Sequence, residues 1–310
     1  MLKGKDLLTL ADFSDEEVRE IIEAARTLKL LYNMGHKVNV LFGKTLALYF
    51  ELPSTRTRIS FEVAIHQLGG YAIYLRQEDL QLVRGESIAD TARVLSRYVK
   101  AIVARVRNHK ILEEMARYAE IPVINALSNL YHPCQALADL LTIYEKKGRF
   151  RGLRVAYIGD GNNNVCHSLM LACSKVGIDI RVGCPRGYEP LKEVVKKAEE
   201  AASKHGSIVE ILHDPYETAK GADVIYTDVF VSMGREEERD KRLRDFAGWT
   251  ITKDIVRMAK EDYIFMHCLP AHRGEEVAPE VIDDPKHSVV WDQAENRLHL
   301  QRALLALIVP

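Results

Sequence analysis

The chain has 310 residues, 47% hydrophobic and 28% charged, a composition that excludes disorder, collagen-like repeats and a coiled coil and suits two domains of ~100–200 residues each. Its 43 Lys and Arg against 44 Asp and Glu leave a formal charge of −1, so no global field would hold it on nucleic acid or an anionic membrane, and any anion site must be local. The first ten residues lack an apolar core segment, no stretch nears the ~20 apolar residues of a membrane span, and five cysteines without CxxC pairing indicate neither a disulfide framework nor a zinc cage; a cytoplasmic address is expected.

In chain order, Ser14-Asp15-Glu16-Glu17 reads as a capping box that opens a helix, with Phe13 as a staple before it and Gly35 closing it. Residues 45–50 predict a buried strand, 56–68 a helix ended by Gly69-Gly70, and 71–75 the next strand. At the first of these junctions lies Ser54-Thr55-Arg56-Thr57-Arg58. Free backbone N–H groups and the helix dipole favour an anion there, and the hydroxyls and guanidiniums add charge-assisted bonds, so the run can surround a phosphate without a glycine-rich loop. A lone Ser-Thr-Arg would only cap a helix; the repeated pair at a strand-to-helix junction favours function.

The alternation continues with a helix over 88–98, a strand over 101–105, a helix over 110–119 and a short strand over 122–125. Arg105 ends a predicted strand, where α/β proteins place ligand contacts, with a structural ion pair as the competing reading. His132-Pro133-Cys134-Gln135 opens a helix over 133–147 and offers an imidazole and an amide suited to a carbonyl oxygen and an amide NH₂. Gly148 and Gly152 then punctuate the chain, which sets a domain boundary at 147/148.

The second half repeats the pattern, with strands expected over 154–158, 178–182, 208–212, 224–227, 264–267 and 289–291 and a last helix over 293–308. The fold class is therefore α/β, two doubly wound parallel-sheet domains joined by interdomain helices: 1–147, 148–291 and a C-terminal stretch, 292–310, packing back on the first. Gly159-Asp160-Gly161-Asn162-Asn163-Asn164 looks like a degenerate dinucleotide turn without the third glycine; its amides suit a polar small molecule. Asp228, followed by Val229 to Gly234, ends a strand with a carboxylate suited to an ammonium and a loop of hydroxyl and backbone donors. Cys268, in His267-Cys268-Leu269-Pro270, is a nucleophile, a ligand contact or a small buried hydrophobe; neither a Cys–His–Asn arrangement nor a metal site is indicated.

Together these segments resemble the aspartate/ornithine carbamoyltransferase family from the first helix to the last. The motifs are Ser54 to Arg58 with Ser60-Phe61-Glu62, Gly85-Glu86-Ser87 with Asp90-Thr91-Ala92-Arg93, His132 to Gln135, and His267 to Pro270. Asp228 with Ser232-Met233-Gly234, and Cys268 within its motif, look like the ornithine branch, since an aspartate site needs cations where Asp228 stands. The resemblance implies that Ser54, Thr55, Arg56, Thr57, Arg105 and Gln81 of a neighbouring subunit hold the phosphate of carbamoyl phosphate, while His132 and Gln135 hold its carbamoyl group. Cys268, Leu269 and Arg297 would line the meeting point of the substrates, with Asn164, Asp228, Ser232 and Met233 on ornithine; Asn164 is preferred over Asn163 by counting back from Val165.

By the same resemblance the catalytic groups are Arg56, Arg105, His132, Asp228 and Cys268, and the reaction carbamoylates the δ-amine of L-ornithine to give L-citrulline and phosphate. It implies no cofactor or metal, and a homotrimer with shared sites that can assemble further. The competing functions are carbamoyl transfer to putrescine or aspartate, and non-catalytic anion binding on the same fold. Leu52 and Arg84, where relatives carry Lys, and the triple Asn turn depart from the family pattern without removing a proposed catalytic group.

Overall fold

Two parallel sheets carry the chain, as the alternation of buried strands and helices requires. The computed structural model describes residues 2–232 and 234–310. It divides into two compact units, Met1–Leu141 with Asn296–Pro310, and Thr142–Glu295.

In the first unit, α1 (Asp15–Asn33) is followed by β1 (Thr45–Phe50), α2 (Thr55–Gln67), β2 (Tyr71–Arg76), α3 (Ile88–Tyr98), β3 (Ala101–Arg105), α4 (His109–Tyr118) and β4 (Val123–Leu127). The predicted capping box is present: Ser14 Oγ accepts from the Glu17 N–H, and Glu17 accepts from the Ser14 N–H. Strand order is β2-β1-β3-β4, all parallel. β3 and β4 are buried along their whole length, which is why they read as unbroken apolar runs. β2 at the edge has only exposed and half-buried positions. Because β1 has β2 on one side and β3 on the other, the chain reverses direction across the sheet there, and a crevice opens beyond the carboxyl ends of β1 and β3.

After α5 (Pro133–Lys147), the second unit builds β5 (Arg154–Ile158), α6 (Asn164–Val176), β6 (Asp179–Gly183), α7 (Lys192–Ser203), β7 (Val209–Leu212), α8 (Pro215–Ala219) and β8 (Val224–Thr227). Then come α9 (Arg239–Asp245), α10 (Lys253–Val256), β9 (Ile264–His267), α11 (Pro279–Ile282) and α12 (Val290–Ile308). The order β7-β6-β5-β8-β9 puts the equivalent reversal between β5 and β8. One core lies under this sheet, where Ile225, Phe246, Phe265 and Val281 are buried together.

The strand expected over 289–291 does not form. Phe265 donates to the His287 carbonyl and accepts from the Val289 N–H, so the chain touches the edge of β9 for one bridge at Ser288 and then turns into α12 at Val290. The β-branched pair Val289-Val290 is buried by that approach while Trp291 is 66% exposed, so the apolar run marks a helix entry rather than a strand.

Candidate active site

Each unit assembles polar side chains beyond the carboxyl ends of its strands. In the first, Ser54 caps α2, its hydroxyl accepting from the Thr57 N–H at 3.3 Å, and the first helical turn after β1 leaves Thr55 and Arg56 exposed. Thr57 is buried, and Arg297 of α12 donates to its hydroxyl at 3.3 Å and to Gln135 Oε1 at 2.7 Å. Gln135 in turn donates to Asp139 Oδ1 at 2.8 Å, which fixes the orientation of its amide. Arg105 ends β3 almost fully buried, in register with Phe50 of β1.

His132 sits just before α5, 5% exposed. Burial, and then the guanidiniums of Arg297, Arg105 and Arg56, push its pKa well below the ordinary imidazole value, so the ring is neutral at physiological pH. A neutral ring can donate one N–H to a carbonyl oxygen without adding charge, while the three guanidiniums supply a field for a dianion. The structure thus brings together Ser54, Thr57, Arg56, Arg105, His132, Gln135 and Arg297. Gln81 is not part of the cluster; it is exposed in a short 3-10 stretch, Gln81–Arg84.

In the second unit the centre is Asp228, immediately after β8. Its Oδ1 accepts from the Cys268 thiol at 3.0 Å and the Val229 N–H at 2.8 Å, and its Oδ2 accepts from the Asn163 amide at 3.0 Å. The same Asn163 amide donates to Ser232 Oγ at 3.0 Å, while Asn163 Oδ1 caps α6 through the Val165 N–H. Among the three successive amides it is therefore Asn163 that bonds to Asp228 and Ser232; Asn164 occupies the first position of α6, half-buried beside it. Met233 lies outside the described residues. Asp228, Asn163, Ser232 and Cys268 form one carboxylate-centred cluster suited to an ammonium.

Gly161 explains the incomplete dinucleotide pattern. A Cβ there would lie 2.6 Å from the Tyr188 carbonyl oxygen and 2.8 Å from Pro190, so this glycine admits the chain's own backbone where a pyrophosphate would otherwise approach. Asn162 N–H donates to that same Tyr188 carbonyl at 3.1 Å.

Residues within the His267 to Pro270 motif, together with Glu276 and Arg242 outside any motif, hold these groups. Leu269 has φ +60, a conformation rare for a branched side chain, and its N–H donates to His267 Nδ1 at 2.9 Å. That bond requires a lone pair on Nδ1, so the ring proton is on Nε2, which faces Glu276 Oε1 at 3.2 Å; His267 and Glu276 are both fully buried. Asp228, His267 and Cys268 have the spacing of a metal cluster, but both nitrogens of His267 are engaged in these bonds. Arg242 of α9 bonds Asp160 Oδ2 at 2.6 Å and the Phe230 carbonyl at 3.1 Å, tying the amide turn to the loop after β8. In sequence, Glu276 and Arg242 belong to runs of charge that read as solvated surface; only their burial marks them.

Two family models divide the chain. The carbamoyl-P binding domain of aspartate/ornithine carbamoyltransferase matches residues 5–145, and the Asp/Orn binding domain of the same family matches 151–308. The chain belongs to the aspartate/ornithine carbamoyltransferase family. It is 59% identical over 308 residues to the ornithine carbamoyltransferase of Pyrococcus horikoshii, covering 99% of this chain and 96% of that one. It is 58% identical to the anabolic ornithine carbamoyltransferase of Pyrococcus furiosus, with 99% and 97% covered. The solved ornithine carbamoyltransferase from Pyrococcus furiosus superposes with a TM-score of 0.96 over 99% of this chain and 98% of that one. The carbamoyl-P model thus spans Ser54, Arg56, Thr57, Arg105, His132 and Gln135, and the Asp/Orn model spans Asp228, Cys268 and Arg297.

Proposed function

We propose that the chain transfers the carbamoyl group of carbamoyl phosphate to the δ-amine of L-ornithine, releasing L-citrulline and phosphate. The observation that carries the choice of ornithine is the Asp228 cluster: a buried carboxylate held by Asn163 and Cys268 suits a cationic amino group and opposes a second substrate carboxylate. The relatives' names support the same reading.

In this reading Ser54, Thr55, Arg56, Thr57 and Arg105 hold the phosphate, helped by Gln81 of a neighbouring subunit, and His132, Gln135 and Arg297 orient the carbamoyl group. Asn164, Asp228, Ser232 and Met233 bind ornithine, and Cys268 and the Leu269 carbonyl face the reacting centre. The amine lone pair attacks the carbamoyl carbon, and negative charge gathers on the carbonyl oxygen, where the His132 N–H and Arg56 stabilise it. The C–O bond to phosphate then breaks, the electron pair leaving with phosphate into the guanidinium field. The nitrogen loses two protons on the way from ammonium to amide: Asp228, which accepts from the Cys268 thiol, takes the first to free the lone pair, and the departing phosphate takes the second once the C–N bond has formed.

The chain works as a homotrimer with shared sites, and trimers can assemble further. Exposed Tyr71 and Ile73 on edge strand β2 and Val94 and Tyr98 on α3 support association through the first unit. Arginine biosynthesis in the cytoplasm is the proposed setting; among the described residues no helix is long and apolar enough to cross a membrane.

Supplying carbamoyl phosphate with ornithine, putrescine or aspartate in parallel, and quantifying each carbamoylated product, tests the proposal. Citrulline should dominate by at least a hundredfold. Comparable product from putrescine or aspartate, or no product at all, would sink it.

A further inference from the structure

The first unit holds a second cationic cavity that the carbamoyl-transfer machinery does not use. It has a volume of about 380 Å³ and lies where the end of α1, the end of α2 and the C-terminal half of α12 meet, lined by Tyr32, His36, Lys37, His66, Gln67 and Arg302 among others. Among the described residues no acidic side chain lines it. Its size falls within the ~300–1,000 Å³ of small-molecule sites.

Arg302 is the unusual member. It is 1% exposed, one of the largest fully buried side chains, yet among the described residues no carboxylate lies within ion-pair distance of it. Its hydrogen bond is one long contact, 3.5 Å, to the Leu28 carbonyl, and its Nε has no partner. The Tyr32 ring covers one face of the guanidinium, 5.1 Å from Cζ. Gln67 Oε1, also buried, accepts no bond. A buried, unpaired guanidinium opposes folding, and an apolar side chain of similar length would be more stable in its place. Retaining it in the lining of a cavity fits a charge that is neutralised only when something binds.

We propose that this cavity is a second anion site, separate from the arginine cluster around His132, and that it binds a small metabolite carrying an oxyanion, phosphate or carboxylate, together with an N–H or O–H donor. The oxyanion takes the fork of Arg302, the donor meets Gln67 Oε1, and Lys37, His36 and His66 at the exposed mouth add attraction for the charge. The site does not depend on which carbamoyl acceptor the chain uses.

The test is calorimetric titration of the full-length protein with inorganic phosphate and, separately, with malonate, in an Arg56→Ala background that weakens the first site. One equivalent per chain should remain, and adding Arg302→Met or Lys37→Glu should weaken it at least tenfold. Lys37 is exposed, so its replacement leaves the core intact. Binding of phosphate alone assigns a phosphorylated ligand, and binding of malonate a carboxylate. Ligand-free Arg302→Met should have a higher Tm than its parent and lose the rise in Tm that the anion causes. Absence of the residual equivalent, its survival in both variants, or a lower Tm for Arg302→Met would overturn the proposal.

Discussion

Asp228 and His132 show how side chains of ordinary chemistry acquire special roles from their neighbours. Asp228 accepts from Asn163, Cys268 and its own following N–H, so its position is set before a ligand arrives. Asn163 and Asn164 therefore differ in what their removal costs. Asn163→Ala should raise the KM for ornithine and also lower stability by about 0.5–2 kcal/mol, because the cap on α6 is lost with it. Asn164→Ala should raise the same KM with little change in Tm; equal stability losses for the two variants would refute this division of labour. His132 gives a pH signature. Its folded pKa is depressed by burial and three guanidiniums, so the neutral ring's contribution to stability is complete above the unfolded imidazole value, about 6.5. Below that the unfolded chain takes up a proton that the folded chain refuses, and stability falls by up to about 1.4 kcal/mol per pH unit. His132→Gln should flatten that acid slope in urea denaturation between pH 7 and 5, and an unchanged slope would contradict a neutral buried ring.

At the scale of elements, the function-bearing groups sit where strands end and helices begin, and short-range contacts keep those junctions in place. The turn from β5 to α6 passes under the Tyr188 carbonyl with no room for a side chain at Gly161. Gly161→Ala should cost about 1–3 kcal/mol by overpacking, and should weaken ornithine more than carbamoyl phosphate, since the displaced turn carries Asn163. Denaturation midpoints and the two KM values check both halves of that expectation. The loop after β8 is similarly tied down, Phe230 stacking on Phe246 at 4.5 Å and its carbonyl accepting from Arg242. Most elements follow their sequence patterns because parallel strands buried on both faces need continuous apolar runs. The exception at 289–291 arose because a buried β-branched pair looks the same whether it enters a sheet or a helix.

For the molecule as a whole, the proposed assembly has a consequence that a single chain lacks. If Gln81 serves a neighbour's phosphate site, Arg56→Ala and Gln81→Ala chains should each be nearly inactive alone. A trimer mixed from both would contain a site with Arg56 from one chain and Gln81 from the other. Unfolding and refolding the two variants together should restore a substantial fraction of native activity, whereas mixing them without subunit exchange should not. Recovery no greater than the sum of the two variants would place the site within one subunit.

How much of this could be read without coordinates follows from the range of the forces involved. The α/β class, the proposed phosphate cradle at Ser54 to Arg58 and the motifs at His132 and Cys268 are local in sequence, because a strand end, a cap and a helix start occupy adjacent residues. The roles of Asn163, Glu276 and Arg242 are decided by partners far along the chain: Asp228 for Asn163, Asp160 for Arg242. Even Glu276 and His267, nine residues apart, meet only after β9 and the following turn fold back. Arg302 was one helix arginine among many in the sequence; that it is buried without a counter-charge is a property of α1, α2 and α12 packed together. Sequence determined which chemistry each junction offers, and tertiary structure decided which side chains hold it in place, since burial and distant hydrogen bonds exist only once the chain has folded.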